Sequence, residues 1–100
     1  MPAVTAFDLD RAWDLHPRVS VRPEPFGALL YHFGTRRLSF LKDRTLLSVV
    51  EGLAEAPTAR AACAAAGVTE AELPRYARAL ATLADSDMLN RRAVERTSAP

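Results

Sequence analysis

Few side chains in this sequence could act as a nucleophile or a general base. The histidines are His16 and His32, the single cysteine is Cys63, and the serines lie at positions 20, 39, 48, 86 and 98. None of them falls in a GxSxG, HExxH, Walker or GxGxxG pattern, the motifs that arrange such groups for hydrolysis, metal binding or nucleotide binding. We therefore expect a protein that is not an enzyme.

Each of these residues has a structural interpretation instead. Cys63 lies in ARAACAAAG, where small residues predict a helix and a buried thiol rather than a nucleophile. A single cysteine can form neither an internal disulfide nor a cysteine cluster for zinc or iron–sulfur. His16 has no second ligand at metal-site spacing, and His32 is expected opposite Arg37, a cation that opposes its protonation. We predict no catalytic residue, metal site or cofactor.

The composition is that of a soluble globular domain. Hydrophobic residues make up 49% and charged residues 25% of the 100 residues, and the net charge is +1. A dedicated polyanion binder usually has a marked basic excess, which is absent here. No apolar run reaches the roughly 18 residues of a membrane span, and the N-terminus is acidic where a signal peptide would be basic. We expect one cytoplasmic domain without a membrane partner.

Between Pro17 and Lys42 the apolar residues have the period of β-strands. RVSVR alternates, PEP interrupts it, and ALLYHF and RRLSFL follow around Gly34-Thr35. Gly34 suits the first central position of a type II′ turn, which would pair Tyr31 with Leu38. The side of this hairpin with more apolar residues is predicted to face the core, and the other side is mixed. The predicted core side comprises Leu29, Tyr31, Phe33, Leu38 and Phe40, and the mixed side Ala28, Leu30, His32, Arg37, Ser39 and Leu41.

After Leu41 the apolar period lengthens to that of helices. Asp43 is a candidate N-cap for a first helix that stops near Gly52, and a second helix is predicted over about 58–66. Thr69 and Glu72 form a capping-box pattern that opens a third helix.

The predicted fold class is therefore α+β, a three-stranded antiparallel sheet followed by three helices. A partly ordered arm over 1–16, pinned by Trp13 and Leu15, precedes a domain over 17–89. A flexible tail over 90–100 follows the domain.

A hairpin beside a helix pair also raises the alternative of a winged-helix DNA-binding regulator. Its reading helix would be the third one. Over 69–87 that segment carries four acidic residues against only Arg75 and Arg78, so phosphate would repel it. We expect no nucleic-acid partner.

The outer strands of the predicted sheet indicate another function. The first is hemmed by Pro17, Pro23 and Pro25, which cannot donate to a ladder. The third, Arg37 to Leu41, has no proline, so an extended peptide could add there as a fourth strand. The same edge could instead be covered by the N-terminal arm or pair with a second copy in a homodimer.

Residues 13–53, and above all RPEPFGALLYHFGTRRLSFL, closely resemble the peptide chaperones of mycofactocin biosynthesis, and AAGVTEAELPRYARALATLADSDML is also similar. These chaperones belong to the PqqD-like precursor-peptide recognition elements. The resemblance implies a winged-helix-like fold that binds the leader of a ribosomally made precursor peptide. It also implies presentation of that peptide to a radical S-adenosylmethionine maturase, which acts on a C-terminal Val-Tyr.

In such proteins the peptide runs along the third strand and beside the third helix. The resemblance maps this site to Arg37, Leu38, Ser39, Phe40, Leu41, Arg75, Tyr76, Ala79 and Leu80. Because Leu38 and Phe40 are predicted to face the core, their loss is expected to act through stability. Arg37 and Arg75 would contact acidic leader residues or remain solvated, and Tyr76 would be groove wall or core.

Overall fold

A computed structural model describes residues 7–92. The first six residues of the predicted arm and residues 93–100 of the predicted tail lie outside the described residues. The elements are β1 (Trp13–Leu15), β2 (Val19–Glu24), β3 (Gly27–His32), β4 (Leu38–Leu41), α1 (Arg44–Gly52), a 3-10 turn (Leu53–Glu55), α2 (Ala59–Ala65), α3 (Leu73–Asp85) and β5 (Leu89–Arg91). The predicted class, α+β with a three-stranded antiparallel sheet and three helices, is confirmed. Within this range no helix is both long and apolar enough to cross a membrane.

The main sheet has the order β2-β3-β4, with both pairs antiparallel. Its register is the predicted one, because Tyr31 pairs with Leu38 and Leu29 with Phe40. β2 is the outer strand and continues through Pro23, which lies opposite Ala28 of β3. Proline is tolerated on an outer strand, because its missing N–H would otherwise point away from the ladder.

The predicted assignment of the two sheet faces is wrong. Ala28, Leu30 and Leu41 are buried toward the helices, whereas Phe33 and Phe40 are 59% and 55% exposed. The prediction ranked the faces by their number of large apolar residues. The inner face is instead the one whose side chains meet α1, which packs against β3 and β4.

His32 is buried on this inner face, only 3% exposed, and one of its two ring nitrogens serves the hairpin, while its Nε2 has no hydrogen-bond partner among the described residues. Its Nδ1 accepts hydrogen bonds from the backbone amides of Gly34 (2.9 Å) and Thr35 (3.0 Å). The predicted type II′ turn is also wrong. The loop covers residues 33–36, the Arg36 amide donates to the His32 carbonyl (2.8 Å), and Arg36 has the positive φ of 67°. The His32 ring thus stabilises the turn between β3 and β4, a role that the type II′ geometry was expected to fill.

The predicted capping signal is confirmed for α1 and holds only in part for α3. The Asp43 carboxylate accepts from the Thr45 amide at the start of α1, and Thr58 caps α2 in the same way. The Glu72 carboxylate accepts from the Thr69 amide, although α3 itself begins at Leu73. The core lies between the helices and the sheet, and Cys63 is fully buried in it as predicted. Burial raises the pKa of the Cys63 thiol, which makes it a weaker nucleophile.

A second sheet, β1 with β5, joins the two ends of the described chain. The Arg92 guanidinium donates to the Asp14 carboxylate (2.8 Å) and to the backbone carbonyls of Trp13 (3.1 Å) and Leu53 (2.7 Å). Residues 90–92 were predicted to lie in a flexible tail, but this strand and the charge-assisted bonds of Arg92 hold them on the domain.

Gly27 allows β3 to approach the end of β4. Its φ is +152°, and a Cβ built on it would lie 1.9 Å from the Leu41 carbonyl oxygen. Replacing Gly27 with Ala should therefore lower the free energy of unfolding by about 2 kcal/mol or more, measured by urea denaturation. Gly52→Ala is the matched control, because a Cβ there meets nothing within 4 Å. Equal stabilities for the two variants would contradict this account.

Candidate functional site

β4 is an edge strand among the described residues, since its one partner in the sheet is β3. At the hairpin end the His32 amide donates to the Arg37 carbonyl (2.9 Å). Along an antiparallel ladder, residues that bond to the partner strand alternate with residues that do not. Counting from Arg37, Leu38 and Phe40 direct their N–H and C=O groups away from β3. Two residues of β4 thus offer main-chain donors and acceptors to a further strand.

A groove of about 310 Å³ runs beside this edge, between β4 and α3. All four residues of β4 contribute to its wall. The opposite wall and floor are mostly apolar, and Thr82 adds a hydroxyl. The complete lining is Leu38, Ser39, Phe40, Leu41, Leu46, Ala79, Thr82 and Leu83.

The groove continues into a wider depression of about 600 Å³ at the start of α1. Leu46 and Ala79 line both parts. The wider part is richer in charge, with Lys42, Arg44 and Arg75 against the single carboxylate of Asp43. An extended chain in the groove would therefore pass from an apolar segment into a basic one.

Asp43 and Tyr76 connect the two walls of this wider part. The Tyr76 hydroxyl donates to the Asp43 carboxylate at 2.5 Å, and the Arg75 guanidinium lies 5.0 Å from the centre of the Tyr76 ring. Burial raises the pKa of Asp43, but the hydrogen bonds from Tyr76 and from the Thr45 and Leu46 amides outweigh it, so the pKa is below its usual value. The bond to Asp43 and burial raise the pKa of Tyr76. Asp43 is thus held as a carboxylate whose charge is engaged by the fold.

Most of the predicted site residues meet at this groove. Leu38, Ser39, Phe40, Leu41 and Ala79 line its narrow part, and Arg75 and Tyr76 line its wide part. Tyr76 is both wall and core, because it is 5% exposed.

Three predictions about individual side chains need comment. Leu80 lies in the core at 0% exposure rather than in the groove, and Arg37 is exposed directly before β4. The expectation that Leu38 and Phe40 face the core is wrong, since both are at least half exposed. Their loss should therefore affect the surface more than the stability.

Several groove residues were not predicted from the sequence, namely Pro25, Phe26, Lys42, Asp43, Arg44, Thr45, Leu46, Thr82 and Leu83. A signal existed for Asp43, the predicted N-cap of α1, because the start of α1 follows β4 directly. Helical periodicity also predicts Thr82 as a groove residue, since it lies three residues after Ala79 on the same side of α3.

With this geometry in view, comparison with known proteins is decisive. The model of the peptide chaperone MftB family matches residues 12–90, a range that contains β4, α3 and both parts of the groove. The chain belongs to this family.

Individual relatives agree with the membership in the MftB family. The chain is 64% identical over 84 residues to the peptide chaperone MftB of Mycobacterium ulcerans, covering 84% of this chain and 77% of that protein. It is 63% identical to the Mycobacterium tuberculosis protein over 83 residues, 83% of this chain and 76% of the relative. Identity to the Mycolicibacterium smegmatis protein is 59% over 83% of this chain and 81% of that protein. No solved structure matches. The resemblance to the mycofactocin chaperones is thus confirmed.

The bond between Tyr76 and Asp43 predicts a pH-dependent contribution to stability. Because the folded-state pKa of Asp43 is lowered, its contribution is present above about pH 4 and is lost as the pH falls further. Tyr76→Phe should lower the free energy of unfolding by about 1 kcal/mol at neutral pH. Its difference from the wild type should shrink below pH 4, in urea denaturation at a series of pH values. Tyr31→Phe is the control, and a constant difference for Tyr76→Phe across the series would contradict the assignment.

Proposed function

We propose that this chain is a non-catalytic chaperone that captures the leader of a ribosomally made precursor peptide by β-strand addition in mycofactocin biosynthesis. It delivers this peptide to a radical S-adenosylmethionine maturase in the cytoplasm. The observation that carries the proposal is the outer edge of β4, which has no partner strand within residues 7–92, beside a groove shared with α3. Membership of a family of peptide chaperones supports the class of ligand.

Strand addition divides recognition between main chain and side chains. The outward N–H and C=O groups of Leu38 and Phe40 bind the backbone of the leader whatever its sequence. Alternate leader side chains then point toward the groove, where Leu46, Ala79 and Leu83 favour apolar residues. The leader thus needs an extended segment with apolar side chains at every second position.

The basic end of the groove selects a second feature of the leader. Lys42, Arg44 and Arg75 lie around it, and the charge of Asp43 is already engaged by Tyr76 and the Thr45 amide. An acidic leader residue would meet three cations and one carboxylate, so the net charge around it is positive and attracts it. We therefore expect an acidic residue next to the apolar segment.

The proposed division of labour leaves the chemistry to the maturase. The residues that line the groove contain no histidine and no cysteine, and the chaperone holds the leader rather than the reacting end of the peptide. Its contribution is to raise the local concentration of the peptide at the enzyme.

A proline scan of the edge tests strand addition directly. Leu38→Pro removes an outward N–H, while Leu38→Ala removes the side chain and keeps the N–H. We expect Leu38→Pro to weaken binding of a synthetic leader peptide at least about tenfold relative to Leu38→Ala, measured by isothermal titration calorimetry. Both variants should be checked for folding by their amide NMR spectra.

The same titration followed by NMR gives an independent readout. Amide signals of residues 38–41 should shift most when the wild type binds the leader. Equal affinities for the two Leu38 variants, or an unchanged edge in a peptide-bound sample, would rule out strand addition. Salt-sensitive binding of duplex DNA in place of the peptide would favour the DNA-binding alternative.

A further inference from the structure

The sheet carries an apolar surface on the side that faces away from the helices. We call it the outer face, formed by Leu29, Tyr31, Phe33, Leu38 and Phe40 and extended by Phe26 at one end. Phe26, Phe33, Leu38 and Phe40 are 46%, 59%, 50% and 55% exposed. With large side chains of about 200 Å² each, these four alone expose on the order of 400 Å², the size of the largest patch on a typical monomer.

The aromatic rings of the outer face are arranged in contact with one another. Tyr31 and Phe33 meet edge to face with ring centres 4.9 Å apart, and the rings of Phe26 and Phe40 lie 6.4 Å apart. No described element packs over them. One partner usually contributes about 800 Å² to a stable interface. The exposed area of this patch is about half of that, so the patch suits the apolar centre of a larger contact.

The charges around the outer face are mainly positive. By strand register, Arg18 and Arg22 lie along one border and Lys42 continues β4 at the other, and all three are exposed. Glu24 pairs with Arg22 at 2.9 Å and is the acidic residue that the register of β2 places on this face. A second copy of the chain would bring like charges together at this rim, which disfavours a symmetric dimer.

We propose that the outer face docks the enzyme that receives the peptide, through a surface of that enzyme that is apolar at its centre and acidic at its rim. This inference rests on the proposed function for the identity of the partner. The outer face and the groove are distinct surfaces that share only the edge residues Leu38 and Phe40 and the bordering Phe26 and Lys42. The chaperone can therefore hold the leader and the enzyme at the same time.

Strand addition couples the two surfaces. A fourth strand beside β4 extends the sheet, and its alternate side chains fall on the outer face next to Leu38 and Phe40. The enzyme then contacts the chaperone and the leader together, so a loaded chaperone should bind it more tightly than an empty one. By linkage, the enzyme should raise the affinity for the leader by the same factor.

Two variants separate the outer face from the groove. Phe33→Ser removes an exposed ring that lines neither part of the groove, and Arg18→Glu reverses one rim charge. The control is Arg78→Glu, which reverses an exposed charge on α3 outside the groove and the outer face. Each protein is titrated with the purified maturase, with and without the synthetic leader, and separately with the leader alone.

We expect Phe33→Ser and Arg18→Glu to weaken maturase binding about tenfold or more while leader binding stays within about twofold of the wild type. Arg78→Glu should behave as the wild type. Unchanged maturase affinity in both variants, or no maturase binding by the wild type, overturns the inference. A wild-type dimer in sedimentation that Phe33→Ser converts to a monomer also overturns it in favour of a second copy. Failure of the wild type to bind the leader would count against the proposed function, while the leader-free titrations still decide the docking surface.

Discussion

The hydrogen bond between Asp43 and Tyr76 is the interaction on which the candidate site depends. One carboxylate begins α1 by accepting from the Thr45 amide and also accepts from the Tyr76 hydroxyl on α3. Asp43 lies two residues after the end of β4, so its carboxylate links the edge strand, α1 and α3 at a single point. A short hydrogen bond to a carboxylate therefore fixes the walls of the groove at this point, in addition to the packing of the buried Tyr76 ring.

Local signals were sufficient for much of this fold. Asp43 and Gly52 indicate the two ends of α1, because capping and helix termination depend on a few neighbouring residues. The register of β3 with β4 also followed from the sequence, although the turn was wrong, because the loop from Phe33 to Arg36 has the same centre as the expected two-residue turn. The faces of the sheet could not be derived in this way. Whether a face is covered depends on where α1 lies, and His32 became an inner residue through bonds that apolarity scales ignore.

In the candidate site, too, some features follow from local sequence signals and others depend on tertiary packing. The absence of proline in β4 was enough to indicate an edge that no other strand of residues 7–92 pairs with. The choice of side chains from α3 needed the packing of the helix, since Ala79 lines the groove while its neighbour Leu80 is fully buried. The reversal of the sheet faces changes the functional interpretation more than the choice of α3 side chains does. It turns Phe33 and Phe40 from core residues into surface residues, and an exposed aromatic face is a stronger indication of a protein partner than a buried one.

The pairing of β1 with β5 has a consequence for how this domain can be combined with others. Trp13 lies opposite Arg91, so the chain enters and leaves the domain side by side, and no residue of either strand lines the groove. A linker joined to either of these two strands would start from the same side of the domain, away from β4. The domain has the connectivity of a cassette that can be joined to an enzyme from either side, or inserted into a surface loop, without rebuilding its recognition surface.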